Sequence, residues 1–118
     1  MRHIESHIQQ NCVKWFRLAF PTLSLNLFSV PNGGSRRRIE GAIMKAEGIV
    51  AGVADLLLLY PSAGYHGLCI EMKSPKGVQR QTQKDWQKAV EAQCYKYIIV
   101  RSFDEFRAEV SRYIRGYN

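Results

Sequence analysis

Asp55, Glu71 and Lys73 are the residues whose types and spacing point first to chemistry. They sit in Gly52-Val-Ala-Asp55-Leu-Leu-Leu-Leu-Tyr60, a Pro/Ser/Gly turn from Pro61 to Gly67, then Leu68-Cys-Ile-Glu71-Met-Lys73. Two apolar runs of strand length around such a turn predict a β-hairpin. Side chains alternate across a strand, so Glu71 and Lys73 point to one face. If the strands are antiparallel neighbours, Asp55 comes level with Glu71. Buried strands rarely carry charge unless it is paired or holds a metal. Two carboxylates beside an ammonium suit Mg²⁺-assisted phosphodiester hydrolysis, because Mg²⁺ takes a few carboxylates and completes its shell with water and phosphate oxygens. A cross-strand ion pair stabilising a sheet end is the alternative on spacing alone.

The elements that must position these residues can be read in order. Ile4, Ile8, Cys12, Trp15, Phe16 and Ala19 recur at helical spacing over roughly residues 2 to 20, and Pro21 ends the run. Glu5 and Gln9 lie one turn apart beside that stripe, so Glu5 either reaches the sheet site or stays solvated near Arg2. Leu23 to Val30 is β-prone and ends at Pro31-Asn32-Gly33-Gly34, a turn signal. A helix is expected from Ser35, with Ile39, Ala42, Ile43 and Ala46 inward and Gly48 as its C-terminal cap. Its Arg36, Arg37 and Arg38 can grip phosphate at a helix start, or can form a solvated cluster.

Beyond the hairpin, Ser74-Pro75-Lys76-Gly77 is a loop and a helix is expected from about Arg80 to Gln93. Thr82 with Asp85 resembles a capping box, and Gln79, Gln83, Trp86 and Val90 share a face. Lys96 to Arg101 reads as the fourth strand. Ser102-Phe-Asp-Glu105 caps a last helix with Phe106, Val110, Tyr113, Ile114 and Tyr117 inward. The predicted order is α-β-α-β-β-α-β-α over one domain, residues 1 to 118, with no repeat or linker.

Composition bounds the function. Seventeen Lys/Arg against ten Asp/Glu give +7, which favours a polyanionic partner. The polar, helically patterned N-terminus is not read as a signal peptide, and no apolar run reaches the ~18 residues of a membrane span. Cys12, Cys69 and Cys94 are odd in number and widely spaced, and are expected to be reduced core thiols of a cytosolic protein. His3, His7 and His66 make no zinc pattern.

Together these motifs resemble the PD-(D/E)XK nuclease superfamily, and more narrowly its VRR-NUC family, over nearly the whole chain. The resemblance rests on Glu5, Pro31 to Gly34 with Arg36 to Arg38, Glu47-Gly48, Gly52-Val53 before Asp55, Glu71-Met-Lys73, Gly77, and Gln83 ahead of Trp86. Departures are Ala54, where the family often has proline, and the Gln81-Thr82 helix start, where Ser-Pro is usual. The resemblance implies an α/β core, a mixed sheet of about four strands flanked by helices. It implies Asp55, Glu71, Lys73 and Gln83 as the catalytic set, with Glu5, Asp55, Glu71 and Met72 around Mg²⁺, for which Mn²⁺ substitutes. Asn32, Arg36, Arg37, Arg38, Lys76, Arg80 and Lys84 are then the expected DNA contacts. Short stand-alone members are similar to phage and bacterial nucleases that cut four-way DNA junctions as homodimers. A cytoplasmic, structure-selective DNA endonuclease with no small-molecule cofactor is therefore expected, in a bacterial or phage-infected cell. The rival is a non-catalytic nucleic-acid-binding module on a nuclease fold. A sequence-specific restriction-type enzyme would need a recognition region for which 118 residues leave little room.

Overall fold

The computed structural model describes residues 3–31 and 38–116, with the side chains of residues 3 and 38–40 excluded. Helix α1 (His3–Ala19) leads through a 3₁₀ turn at Pro21–Asn26 into β1 (Leu27–Ser29). Helix α2 (Arg38–Ala46) precedes the hairpin β2 (Leu56–Leu58) and β3 (Leu68–Met72). Helix α3 (Gln81–Glu91) crosses to β4 (Lys96–Val100), and α4 (Phe103–Arg115) closes the chain. The predicted element order is the observed one.

The sheet runs β1-β2-β3-β4. β1–β2 and β2–β3 are antiparallel, the latter as the hairpin signal requires, and β3 pairs β4 in parallel through the α3 crossover. Alternation gives the sheet two apolar faces. Leu56, Leu58, Ile70 and Met72 meet Cys12 and Phe16 of α1 and Phe106, Val110 and Tyr113 of α4. On the other face Cys69 and Tyr97 meet Ala54, with Trp86 and Val90 of α3 packed against them. Burying both faces is what allows β3 to read as an almost continuous apolar run.

Several expectations are corrected. Leu23 to Asn26 is not strand. Pro21 sets a helical φ at the first position of the 3₁₀ turn, Leu23 N–H bonds back to Phe20 carbonyl at 2.9 Å, and the Ser24 hydroxyl donates to Pro21 carbonyl at 3.0 Å. Leu25 is left 94% exposed and the strand begins only at Leu27, which is buried. On α1, Ile4 and Ala19 are exposed; the stripe is buried only where α4 and the sheet cover it, at Cys12 and Phe16. Ala42, Ile43 and Ala46 of α2 are exposed as well, so among the described side chains that helix lacks the expected inner face. Its end does follow the sequence: Gly48 at φ +106° donates to Lys45 carbonyl while Ile49 donates to Met44 carbonyl, a Schellman cap. Cys94 is an exposed thiol at φ +65°, not a core one, because it closes the turn after α3. Ser35, Ile39 and Tyr117 carry expectations that lie outside the described residues or side chains. Among the described residues no helix is long and apolar enough to cross a membrane.

Candidate active site

The site forms where β2 begins, two residues short of the end of β3. Leu56 pairs with Ile70, which sets Asp55 opposite Glu71. Here the Asp55 side chain replaces the next ladder rung: its Oδ2 accepts from Met72 N–H at 2.7 Å. A backbone donor that a longer strand would have met with a carbonyl is instead satisfied by a carboxylate. That ties Asp55 to β3 and brings it within hydrogen-bond reach of Glu71. Val30 N–H donates to Asp55 carbonyl at 2.9 Å, so the end of β1 is drawn to the same corner.

Glu71, Lys73 and Gln83 are all buried, at 2%, 8% and 5% exposure. Gln83 reaches from α3 and bonds three ways. Its Nε2 donates to Glu71 Oε2 at 2.9 Å, while its Oε1 accepts from Lys73 Nζ at 2.9 Å and from Arg80 N–H at 2.7 Å. Lys73 Nζ stands 3.7 Å from Glu71 Oε2. The cap of α3 therefore differs from the expected Thr82–Asp85 box. Gln83 supplies the acceptor for Arg80 N–H, and Asp85 accepts from Gln81 at 2.8 Å. One glutamine both caps the helix and orients two site residues.

The electrostatics are strained in one direction. Burial, followed by the charge of Asp55, raises the Glu71 carboxyl to about 8. Asp55 is raised too, by burial first, with the Glu5 charge adding to the effect. Lys73 opposes both shifts but does not cancel them. Two carboxyls forced together in a low-dielectric corner hold a proton that a cation could replace.

These groups line a cleft of about 460 Å³ together with Glu5, Gln9, Ser29, Pro31 and Arg80. Glu5 therefore faces the site and is not simply solvated. The described residues do not gather three His, Cys, Asp or Glu side chains into one metal-holding group. The donor set still fits Mg²⁺, which takes one or two carboxylates and keeps several waters. Met72 can contribute only its carbonyl, since its side chain is buried in the core. In an extended strand a residue's N–H and C=O point to the same side, so that carbonyl faces the Asp55 side. Lys76, Arg80 and Lys84 are exposed, and of the three Arg80 lines the cleft. Asn32, Arg36 and Arg37, and the side chain of Arg38, lie outside what the structure describes.

Tyr97 and Gln79 belong to the site in ways that spacing did not reveal. Tyr97 hydroxyl lies 3.4 Å from Glu71 Oε1, and Gln79 Nε2 donates to that hydroxyl at 3.2 Å. The available signal was parity: Tyr97 alternates onto the α3 face of β4, and a buried hydroxyl requires a polar partner.

Gly52 fixes where α3 begins. It has φ +88°, and a Cβ built there would stand 2.2 Å from Thr82 carbonyl oxygen and 2.9 Å from Gln83 nitrogen. Gly52→Ala must therefore displace the first turn of α3 and adopt an unfavourable φ. We expect it to cost roughly 2 kcal/mol or more in urea unfolding and to lower activity through Gln83. A variant with unchanged unfolding midpoint would contradict this close packing.

No family model matches the chain, and no curated protein matches it. A solved structure described as "VRR_NUC domain protein" does: TM-score 0.84 at 21% sequence identity, covering 100% of this chain and 93% of that one. The mixed four-stranded sheet with its flanking helices is thus the fold that the resemblance implied.

Proposed function

We propose that this protein is a metal-dependent DNA endonuclease of the VRR-NUC family that hydrolyses phosphodiesters, selects branched DNA such as a four-way junction, and works as a homodimer in the cytoplasm. The observation that carries this reading is the mutually repelling pair of buried Glu71 and half-buried Asp55, with Lys73 Nζ 3.7 Å from Glu71 in a cleft that Arg80 also lines. Mg²⁺, with Mn²⁺ as a substitute, would supply Lewis-acid stabilisation of the charge that develops on the phosphate. Asp55, Glu71 and the Met72 carbonyl would hold it, with Glu5 adding negative charge from α1. Lys73 orients the attacking water and stabilises negative charge on the phosphate oxygens. Gln83 keeps Lys73 and Glu71 in register, and the exposed Lys76, Arg80 and Lys84 bind the DNA backbone.

Each chain carries one such pair, so paired cuts across a junction call for two-fold related sites. The test incubates a four-way junction, a flap, a linear duplex and a single strand with EDTA, Mg²⁺ or Mn²⁺. Junction cleavage that needs the metal and disappears in Asp55→Asn is the expected result. Sedimentation should give about twice the 13.6 kDa chain mass. Tight DNA binding without cleavage under every metal would favour the non-catalytic binding module instead.

A further inference from the structure

On the reading that this cleft is a metal-dependent nuclease site, we infer that Tyr97, oriented by Gln79, is a positioning residue that fixes Glu71 for metal binding. It also ties that carboxylate to the basic loop between β3 and α3. The direction of the hydrogen bonds carries the inference. Gln79 Nε2 donates to Gln87 Oε1 at 2.8 Å and to Tyr97 hydroxyl at 3.2 Å. An amide NH₂ has two hydrogens and no acceptor, so both are spent and the phenol oxygen receives one of them. The phenol's own hydrogen is then left for Glu71 Oε1, 3.4 Å away. On the other side Gln83 Nε2 donates to Glu71 Oε2. Each carboxylate oxygen thus has its own donor, which fixes the plane of the carboxylate while leaving lone pairs free. Outer partners of metal-binding side chains act in this way.

The same geometry links Glu71 to the DNA-facing surface. Gln79 lies in the loop that also carries the exposed Lys76 and Arg80. The base of the loop is pinned by Arg101, whose Nη1 donates to Ser74 carbonyl at 2.9 Å and Gly77 carbonyl at 2.7 Å. Arg101 directly follows β4 and Tyr97 lies within it. One strand therefore brackets the loop at two points, and one of those points continues to Glu71. Packing offers a simpler role for Tyr97, since its ring centroid lies 6.2 Å from that of Trp86. Phenylalanine would serve that role equally well.

The test is calorimetric titration of DNA-free protein with Mn²⁺, for wild type, Glu71→Gln, Tyr97→Phe, Gln79→Ala and the Tyr97→Phe/Gln79→Ala double variant. Circular dichroism checks the fold of each. Tyr97→Phe should remain folded and weaken Mn²⁺ binding about ten-fold, the low end for loss of an outer-shell partner. Gln79→Ala should weaken it less, and the double variant no more than Tyr97→Phe alone, because Gln79 acts through the phenol. Unchanged affinity in Tyr97→Phe, or losses that add in the double variant, would overturn the inference. Should Tyr97→Phe not fold, Gln79→Ala decides: unchanged affinity there overturns it. Wild type that fails to bind Mn²⁺, or Glu71→Gln that binds it as well as wild type, would instead overturn the metal-site reading beneath it.

Discussion

Replacing Glu71 with Gln is expected to abolish metal-dependent cleavage while raising the stability of the metal-free protein at pH 8 to 9. The two effects share one origin. Glu71 is 2% exposed, and burial followed by the Asp55 charge raises its carboxyl from 4.5 to about 8. Below pH 4.5 the carboxyl is protonated in both folded and unfolded chains, and no difference arises. Between 4.5 and about 8 the folded protein keeps a proton that the unfolded chain has released. Stability therefore falls as pH rises through this window, by up to about 1.4 kcal/mol per pH unit. Glutamine keeps the shape and cannot ionise. Its advantage over wild type should grow across the window and level off above pH 8. Melting curves at pH 5, 7 and 9 test the sign, and a constant difference at all three would refute it. Mg²⁺ should stabilise wild type at pH 8 and leave Glu71→Gln unmoved, since only the carboxylate gains from the cation. Cleavage by Glu71→Gln at wild-type rate would remove Glu71 from the site altogether.

The legible part of this site was the part governed by local periodicity. Asp55 meets Glu71 because a short hairpin fixes register, and Glu71 shares a face with Lys73 because strands alternate. Glu5 and Gln83 were accessible because a helix repeats every 3.6 residues and both flank apolar stripes. What spacing could not supply was the contact across the parallel pair. Glu71 stands beside Ile99 on β4, and Tyr97 reaches it from two residues earlier. That register is set by how α3 docks, including the contact at Gly52, and no local rule encodes it. The capping box failed for a related reason. Thr82 and Asp85 had the right types, but Gln83 was already turned inward toward Glu71 and could take Arg80 N–H at no further cost. At Leu23 to Asn26, β propensity lost to the preset φ of Pro21. On α2 the apolar spacing predicts an inner face, yet a pattern does not name a partner, and Ile43 is 54% exposed.

Lys73→Ala is expected to lower turnover by ~10²-fold or more while weakening metal binding far less than Glu71→Gln does. Lys73 is held by Gln83 Oε1 at 2.9 Å and stands 3.7 Å from Glu71 Oε2, among the residues that line the cleft. A cation there cannot ligate a metal. It can hold a water and offset charge that builds on phosphate as the bond to the leaving oxygen breaks. Such help is largest in the transition state, so the loss should fall on kcat and leave KM for DNA nearly unchanged. Removing the ammonium also deprives Glu71 of a cation that opposes its protonation, which accounts for a modest loss of metal affinity. Lys73→Met keeps the buried stem without the charge and should behave like Lys73→Ala. Lys73→Arg should recover only part of the rate, because a planar guanidinium presents its donors differently from an ammonium at the Gln83 oxygen. Calorimetry showing that Lys73→Ala loses Mn²⁺ as completely as Glu71→Gln would mean that the lysine serves the metal site itself. A purely catalytic role would then be untenable.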